Sequence, residues 1–283
     1  MKYQIHHQTH YTYSKPVFLE PHIVRLKPPS NGSQQRVDYT LDVIPSPAGM
    51  SEGDDPSGND FTKIWFDEFH ETLELSTSVM VETSRNNPFD YLPEPYASII
   101  PIQFEHDELD HLNPFLKRPV TSDLDPVEAL AERLAIKVEH ETLIFLDVLN
   151  RHLYDTTKVI VREEGAPHPP SKTLESREGA CRDLTVLFID ACRSLGIPAR
   201  YVSGYQERDS NQTLRYLHAW AEVYIPGGGW RGYDPTQGLV VADRHITLTA
   251  TPEPAETLPV QGTFRGTQAT SHMVASTQLI CIS

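Results

Sequence analysis

Tyr3, Ile5, His7, Thr9, Tyr11 and Tyr13 take every second position near the start of the chain, with mostly polar residues between them. A period of two is the pattern of a strand with one buried face, and Pro16 predicts its end. Further β-rich runs lie at 23–26, 37–44, 61–66 and 70–82. Gly32, Pro45, Pro47, Gly49 and the stretch Asp55-Pro56-Ser57-Gly58-Asn59 punctuate them. Residues 1–90 therefore read as an all-β domain. The next segment, 91–122, is a connector rich in proline (Pro93, Pro95, Pro101, Pro114, Pro119). Within it, His106 to His111 lacks the spacing of a zinc-protease motif and reads as a solvated acidic run.

The period then lengthens. Asp125-Pro126-Val127-Glu128 carries the signature of a helix start: a capping Asp, Pro at the first position and Glu at the third. A second helix is expected at 143–156, followed by a loop at 162–172 and a turn at 173–179. Leu184, Leu187, Phe188, Ala191 and Leu195 recur at helical spacing behind Cys181, and Gly196 is the expected cap. Strands follow at 199–205 and 214–225. Gly227 to Gly229 makes a turn, 230–233 forms a third strand, and Asp234 ends it before Pro235. Two later strands are expected at 245–249 and 271–282.

Three residues of this second half could act together. Cys181 stands where a helix begins, and unpaired backbone N–H groups and the positive dipole end favour thiolate over thiol. His218 lies in a strand, and Asp234 follows it by 234 − 218 = 16 residues, enough for a hairpin that sets the two side by side. Thiolate, imidazole and orienting carboxylate are the parts that acyl transfer needs. Cys192 shares a helix face with Cys181 but stands ~16 Å away, too far for a disulfide. It reads as a small buried hydrophobe.

The motifs Gly179-x-Cys181-Arg182-Asp183, Arg193 to Tyr205, His218-Ala219-Trp220-x-Glu222-Val223 and Gly229-Trp230-x-Gly232-Tyr233-Asp234-Pro235-Thr236 resemble the catalytic core of the transglutaminase-like superfamily, in its bacterial transglutaminase-like branch. The alternating residues 3–13, with Pro16-Val17, Arg25-Leu26-x-Pro28 and Gly58-Asn59, resemble the bacterial transglutaminase-like N-terminal domain. The resemblance implies Cys181 as nucleophile, His218 as base and Asp234 as its orienting acid. It implies an α+β fold: an N-terminal β-sandwich-like domain, then at 123–283 a papain-like core in which the Cys-bearing helix packs on an antiparallel sheet, with C-terminal strands. The expected activity is thiol-dependent acyl transfer at an amide bond, as in a cysteine protease or amidase. Transglutamination and a non-catalytic peptide-binding module are the alternatives. Between 244 and 266 the family pattern weakens, so substrate preference is expected to differ there.

Composition narrows the partners. The 283 residues carry a net charge of −15, which disfavours nucleic acid and anionic membrane surfaces. A peptide or protein substrate is expected, and the oligomeric state stays open. The 3 cysteines are unclustered, which suits a reducing compartment. With no signal-like apolar run near the start, a cytoplasmic protein is expected. No cofactor or metal is expected: His6 and His10 share a strand face, but His7 points to the other, and 54–60 lacks the Gly and Glu of a calcium loop. The backbone N–H of Cys181 is the better-founded oxyanion donor, with the Tyr154 hydroxyl a second candidate. The cleft is expected to be bordered by 163–172, 206–215 and 251–256. These segments are mostly polar or Pro- and Glu-rich, which favours water over an amine as acyl acceptor.

Overall fold

The computed structural model describes residues 1–118, 125–162, 165–207 and 217–282. The chain opens with β1 (Lys2–Leu19), β2 (His22–Val24), β3 (Gln34–Ile44), β4 (Gly49–Asp54), β5 (Asp60–Trp65) and β6 (Phe69–Thr83). Two sheets result, both antiparallel. One runs β3-β6-β1, and the other contains β2-β5-β4. Their inner faces share a core of Tyr3, Ile5, Val24, Ile64, Leu73 and Leu75, as strand alternation requires. Strand β1 does not stop at Pro16. Its register with β6 shifts between Thr12 and Val17, and an irregularity of that kind is where a strand tolerates a residue without an N–H. Strand β4 occupies a stretch read from the sequence as turn.

The helices are α1 (His106–Leu112), α2 (Pro126–Lys137), α3 (Thr142–Thr156), α4 (Pro170–Ser176) and α5 (Cys181–Ser194). The Asp125 carboxylate accepts from the Val127 N–H at 2.9 Å and caps α2 as its sequence predicts. Helix α1 forms in the run expected to be merely solvated, and α4 lies within the expected loop and turn. Short strands β7 (Lys158–Val159) and β8 (Glu178–Gly179) pair in parallel just before α5. Then come β9 (Ala199–Gln206), β10 (His218–Ile225), β11 (Gly229–Asp234), β12 (Leu239–Val240) and β13 (His245–Thr251), in the order β12-β11-β10-β9-β13. Leu184, Leu187, Phe188 and Ala191 of α5 are fully buried, and α5 packs against β9 and β10. Each Leu or Phe buried this way contributes about 1.5–3 kcal/mol. Phe188 also stacks on Tyr233 of β11, 5.5 Å between ring centres. Gly196, at φ 74°, closes α5.

The last strands, β14 (Val260–Gln261), β15 (Phe264–Arg265) and β16 (Ser271–Cys281), leave this sheet. β16 pairs with β1 from Tyr3↔Cys281 to Tyr13↔Ser271, β15 with the end of β1, and β14 with β2. Residues grouped with the core in the sequence thus complete the N-terminal sheets. The two halves are also bound through β13. The buried amide of Gln34 exchanges hydrogen bonds with the backbone of Thr247 (2.8 and 2.9 Å). That of Asn59 does the same with Ala250 (2.8 and 3.1 Å). Asn59 is presented by a polar turn in which Asp55 Oδ1 accepts from the N–H groups of Ser57 and Asn59. Among the described residues, no helix is long and apolar enough to cross a membrane.

Candidate active site

Ala180, extended at φ −78° and ψ 171°, precedes the first residue of α5, and the Asp183 carboxylate reaches back to accept its N–H at 2.8 Å. Cys181 is therefore the first helical residue, and its N–H has no carbonyl partner within the helix. Its side chain is half-buried. His218 opens β10, opposite Gly204 of β9. A Cβ on Gly204 would stand 2.1 Å from the Ile246 carbonyl and 2.7 Å from the Trp220 ring. Glycine there lets β13 and Trp220 close around this end of the sheet. Asp234 closes β11, and the β10–β11 hairpin brings it to His218.

The Cys181 thiol and the His218 ring are close enough that each shifts the other's ionisation. His218 Nε2 lies 2.7 Å from Asp234 Oδ2, so Nδ1 is the ring nitrogen left for the thiol. His218 is 5% exposed and Asp234 0%. Asp234 is heavily solvated by protein. Oδ1 accepts from the Thr236 N–H (3.0 Å) and hydroxyl (2.6 Å), and Oδ2 also faces Gln206 Nε2 (3.3 Å) and His245 Nε2 (3.1 Å). The donor atoms of His218, Asp234 and His245 lie within 4.8 Å of one another, a spacing a metal could also use. Separations of 2.7 and 3.1 Å are hydrogen-bond lengths. Ligands of a tetrahedral zinc, bound at about 2.0–2.1 Å, would stand roughly 3.3 Å apart. We therefore read the trio as hydrogen-bonded.

Burial opposes charge at each of these groups, and each is overruled by its neighbours. Burial would push the Cys181 thiol up; the neighbouring His218 ring, with the Ala219 N–H, holds it below the usual thiol value. Burial would lower His218, but Asp234 raises it to about 9. Asp234, despite burial, is held far below the usual carboxylate range by His218 and His245. The arrangement favours a thiolate–imidazolium pair backed by a carboxylate. Cys192, fully buried with no such partner, is pushed well up. Iodoacetamide labelling with peptide mapping across pH 5–8 is expected to modify Cys181 first. His218→Ala should raise the pH at which Cys181 reacts. Equal labelling of Cys181 and Cys192 in the native protein would contradict both.

The structure brings together Cys181, His218 and Asp234. Tyr154 does not join them through its contacts: its ring lies over the Arg151 guanidinium (5.1 Å) and against Gly238, past the turn after Asp234. Glu222, another carboxylate on the His218 strand, is engaged by Arg200 at 2.6 Å. Of the early histidines, His7 is buried against Tyr205, Thr9 and Thr277, while His10 faces Glu74 at 3.8 Å. The stretch 165–170 is drawn to the start of α5, because Asp183 Oδ1 accepts from the His168 N–H (2.7 Å) and Arg162 Nη2 (2.5 Å). The expected border 251–256 falls elsewhere. Arg193 holds the Pro252 carbonyl at 2.7 Å, 193 − 181 = 12 residues along α5 from Cys181, or ~18 Å. The expected border 206–215 lies outside the described residues apart from 206–207, as do 163–164 and 119–122. Sequence reasoning missed His245, Gln206, Thr236 and Asp183. For Thr236 and Asp183 the signal was present in the motifs themselves.

Comparison with known proteins agrees with this architecture. The bacterial transglutaminase-like N-terminal region matches residues 3–82, and the transglutaminase-like superfamily matches 118–235. An uncharacterized protein of Mycobacterium tuberculosis is 28% identical over 285 residues, spanning 92% of this chain and 87% of the relative. A protein-glutamine gamma-glutamyltransferase of Pseudomonas aeruginosa is 38% identical over 69 residues, 22% of this chain and 10% of that protein. Among solved structures, a "putative cysteine protease" from Cytophaga hutchinsonii superposes with a TM-score of 0.74 at 23% identity, covering 100% of this chain and 92% of that one. That likeness establishes a common fold. With both halves matched in order, and the core helix and antiparallel sheet in place, the chain carries a core of the transglutaminase-like superfamily at 118–235, preceded by a bacterial transglutaminase-like N-terminal region at 3–82.

Proposed function

We propose that this chain is a cysteine hydrolase that cleaves an amide bond in a peptide or protein through a Cys181–His218–Asp234 triad. The observation that carries the reading is the row in which His218 Nε2 bonds the buried Asp234 carboxylate at 2.7 Å while the same ring and the Cys181 thiol at the start of α5 hold each other's charged forms. The thiolate attacks the carbonyl carbon, and the oxyanion draws on the N–H of Cys181 at the helix start. His218 donates its Nδ1 proton to the amine as the C–N bond breaks, leaving a thioester. Water then attacks the thioester, His218 takes its proton, and the acid departs as the thiolate–imidazolium pair reforms.

Transglutamination is the second reading, favoured by the local similarity to a gamma-glutamyltransferase. The two share the thioester and differ in its acceptor. A transglutaminase must hold a neutral amine against the thioester and keep water away. The segment 165–170, which Asp183 draws to the start of α5, reads Gly-Ala-Pro-His-Pro-Pro and supplies no aromatic wall, so water at ~55 M has the advantage over a dilute amine. Incubating the protein with glutamine-containing and other peptides plus a labelled alkylamine, read by mass spectrometry, tests the choice. Hydrolysis that is lost in Cys181→Ala is expected. Predominant, Cys181-dependent amine incorporation would replace the hydrolase reading with the transferase.

A further inference from the structure

Asp234 has two histidines, and the triad uses one. His245, the first residue of β13, pairs across the sheet with Gln206 and is 7% exposed. Its Nε2 stands 3.1 Å from the same carboxylate oxygen, Oδ2, that faces His218 Nε2 at 2.7 Å. An ionised carboxylate only accepts hydrogen bonds, so both facing ring nitrogens carry hydrogen. The His245 ring is held edge-on to Trp220 (5.1 Å, 73°), and Trp220 in turn stacks alongside His218 (6.3 Å, 28°). β13 itself is pinned from outside by Gln34 and Asn59 of the N-terminal half.

Resting on the acyl-transfer reading, we propose that His245 is a positioning residue: by sharing Oδ2 it limits how tightly Asp234 holds the proton on His218. A carboxylate oxygen that gives part of its acceptor strength to one donor has less for another. An imidazolium stabilised without limit would be a poor acid toward the leaving amine. The sign does not depend on the charge of His245, since a neutral N–H donor and a cation both weaken the pull of Asp234 on His218. The carboxylate does not need His245 to stay oriented, because the Thr236 N–H and hydroxyl anchor Oδ1. Among the described residues, Cys181 from α5, Gln206 from β9, Trp220 from β10 and the Thr236 hydroxyl, 3.4 Å from His218 Nε2, also face the pair. Arg244, next to His245 in sequence, faces Glu207 at 3.9 Å.

The test is NMR titration of the full chain with 13Cε1-labelled histidine. His245→Leu should raise the His218 midpoint by about 0.5–1 pH unit. His245→Gln, whose amide can still donate to Oδ2, should restore it to near the wild-type value. A purely structural role would lower the melting temperature of both variants and leave the midpoint in place; that result, or a downward shift, overturns the proposal. Should His245→Leu not fold, 15N shifts of the wild-type protein decide. Protonation of His245 at Nε2 supports the proposal, and at Nδ1 alone overturns it. Iodoacetamide labelling of His218→Gln separates the two levels. An unchanged Cys181 pH profile there removes the acyl-transfer reading, whereas a changed profile with an unmoved His245→Leu midpoint removes only the role of His245.

Discussion

Asp234→Asn will lower Cys181-dependent hydrolysis by about 10⁴-fold while the chain still folds, the loss found when an amide replaces the orienting acid of a comparable triad. The environment of Asp234 is built for an acceptor. His218, His245, Gln206 and two groups of Thr236 all direct donors at its two oxygens. An amide offers one acceptor oxygen, and its NH2 must face donors. Either His218 loses its partner or Thr236 does, and the ring is left free to adopt the tautomer that cannot take the thiol proton. A buried group left unsatisfied also costs about 1–3 kcal/mol, so the melting temperature should fall modestly. The measurement is turnover of a peptide found in the hydrolysis panel, with circular dichroism to verify folding. Near-full activity would reduce Asp234 to a turn residue. Glu222 could not easily take its place while Arg200 holds it.

Asp183→Ala should have the largest effect on stability. The Asp183 side chain is fully buried and accepts from Arg162, the His168 N–H and the Ala180 N–H. Burial would raise it, but these donors hold it below the ordinary carboxylate value of 3.8. Its removal takes the carboxylate from the Arg162 guanidinium and leaves the His168 and Ala180 N–H groups without their acceptor, and breaking a buried charged network in this way costs about 3–5 kcal/mol. It also releases 165–170 from the start of α5, so cleavage by trypsin after Arg162 should accelerate. Urea unfolding measures the first effect and limited proteolysis the second; a loss below about 1 kcal/mol would mean the network carries little. Asp183 and Asp234 both titrate lower folded than unfolded. The stability they contribute is therefore complete above the unfolded value of 3.8 and is lost as the pH falls through their folded values.

Cys181, His218 and Asp234 were legible because their placement is local. A helical period with a capping glycine sets Cys181 at a helix start. Two alternating strands with a glycine turn set His218 and Asp234 on one hairpin. Each signal spans a few residues and needs no knowledge of what packs above it. The Asp125 cap and the turn around Asp55 were readable for the same reason.

What only the tertiary structure decided is pairing at long range. Alternation along 271–282 says which side chains share a face but not which strand lies beside them, and β16 joins β1, some 270 residues away, instead of the sheet it follows in sequence. The sequence likewise offers a strand starting at His245 without a partner. Its register on β9 shifts between Thr247 and Thr249, and Gln34 and Asn59, from 213 and 191 residues away, take its backbone there. Those contacts bring His245 to Asp234. A strand's two-residue period encodes its faces, while its neighbour and register are chosen by the packing of the whole molecule. The grouping of Cys181, His218 and Asp234 could therefore be read in the sequence, and the approach of His245 to Asp234 could not.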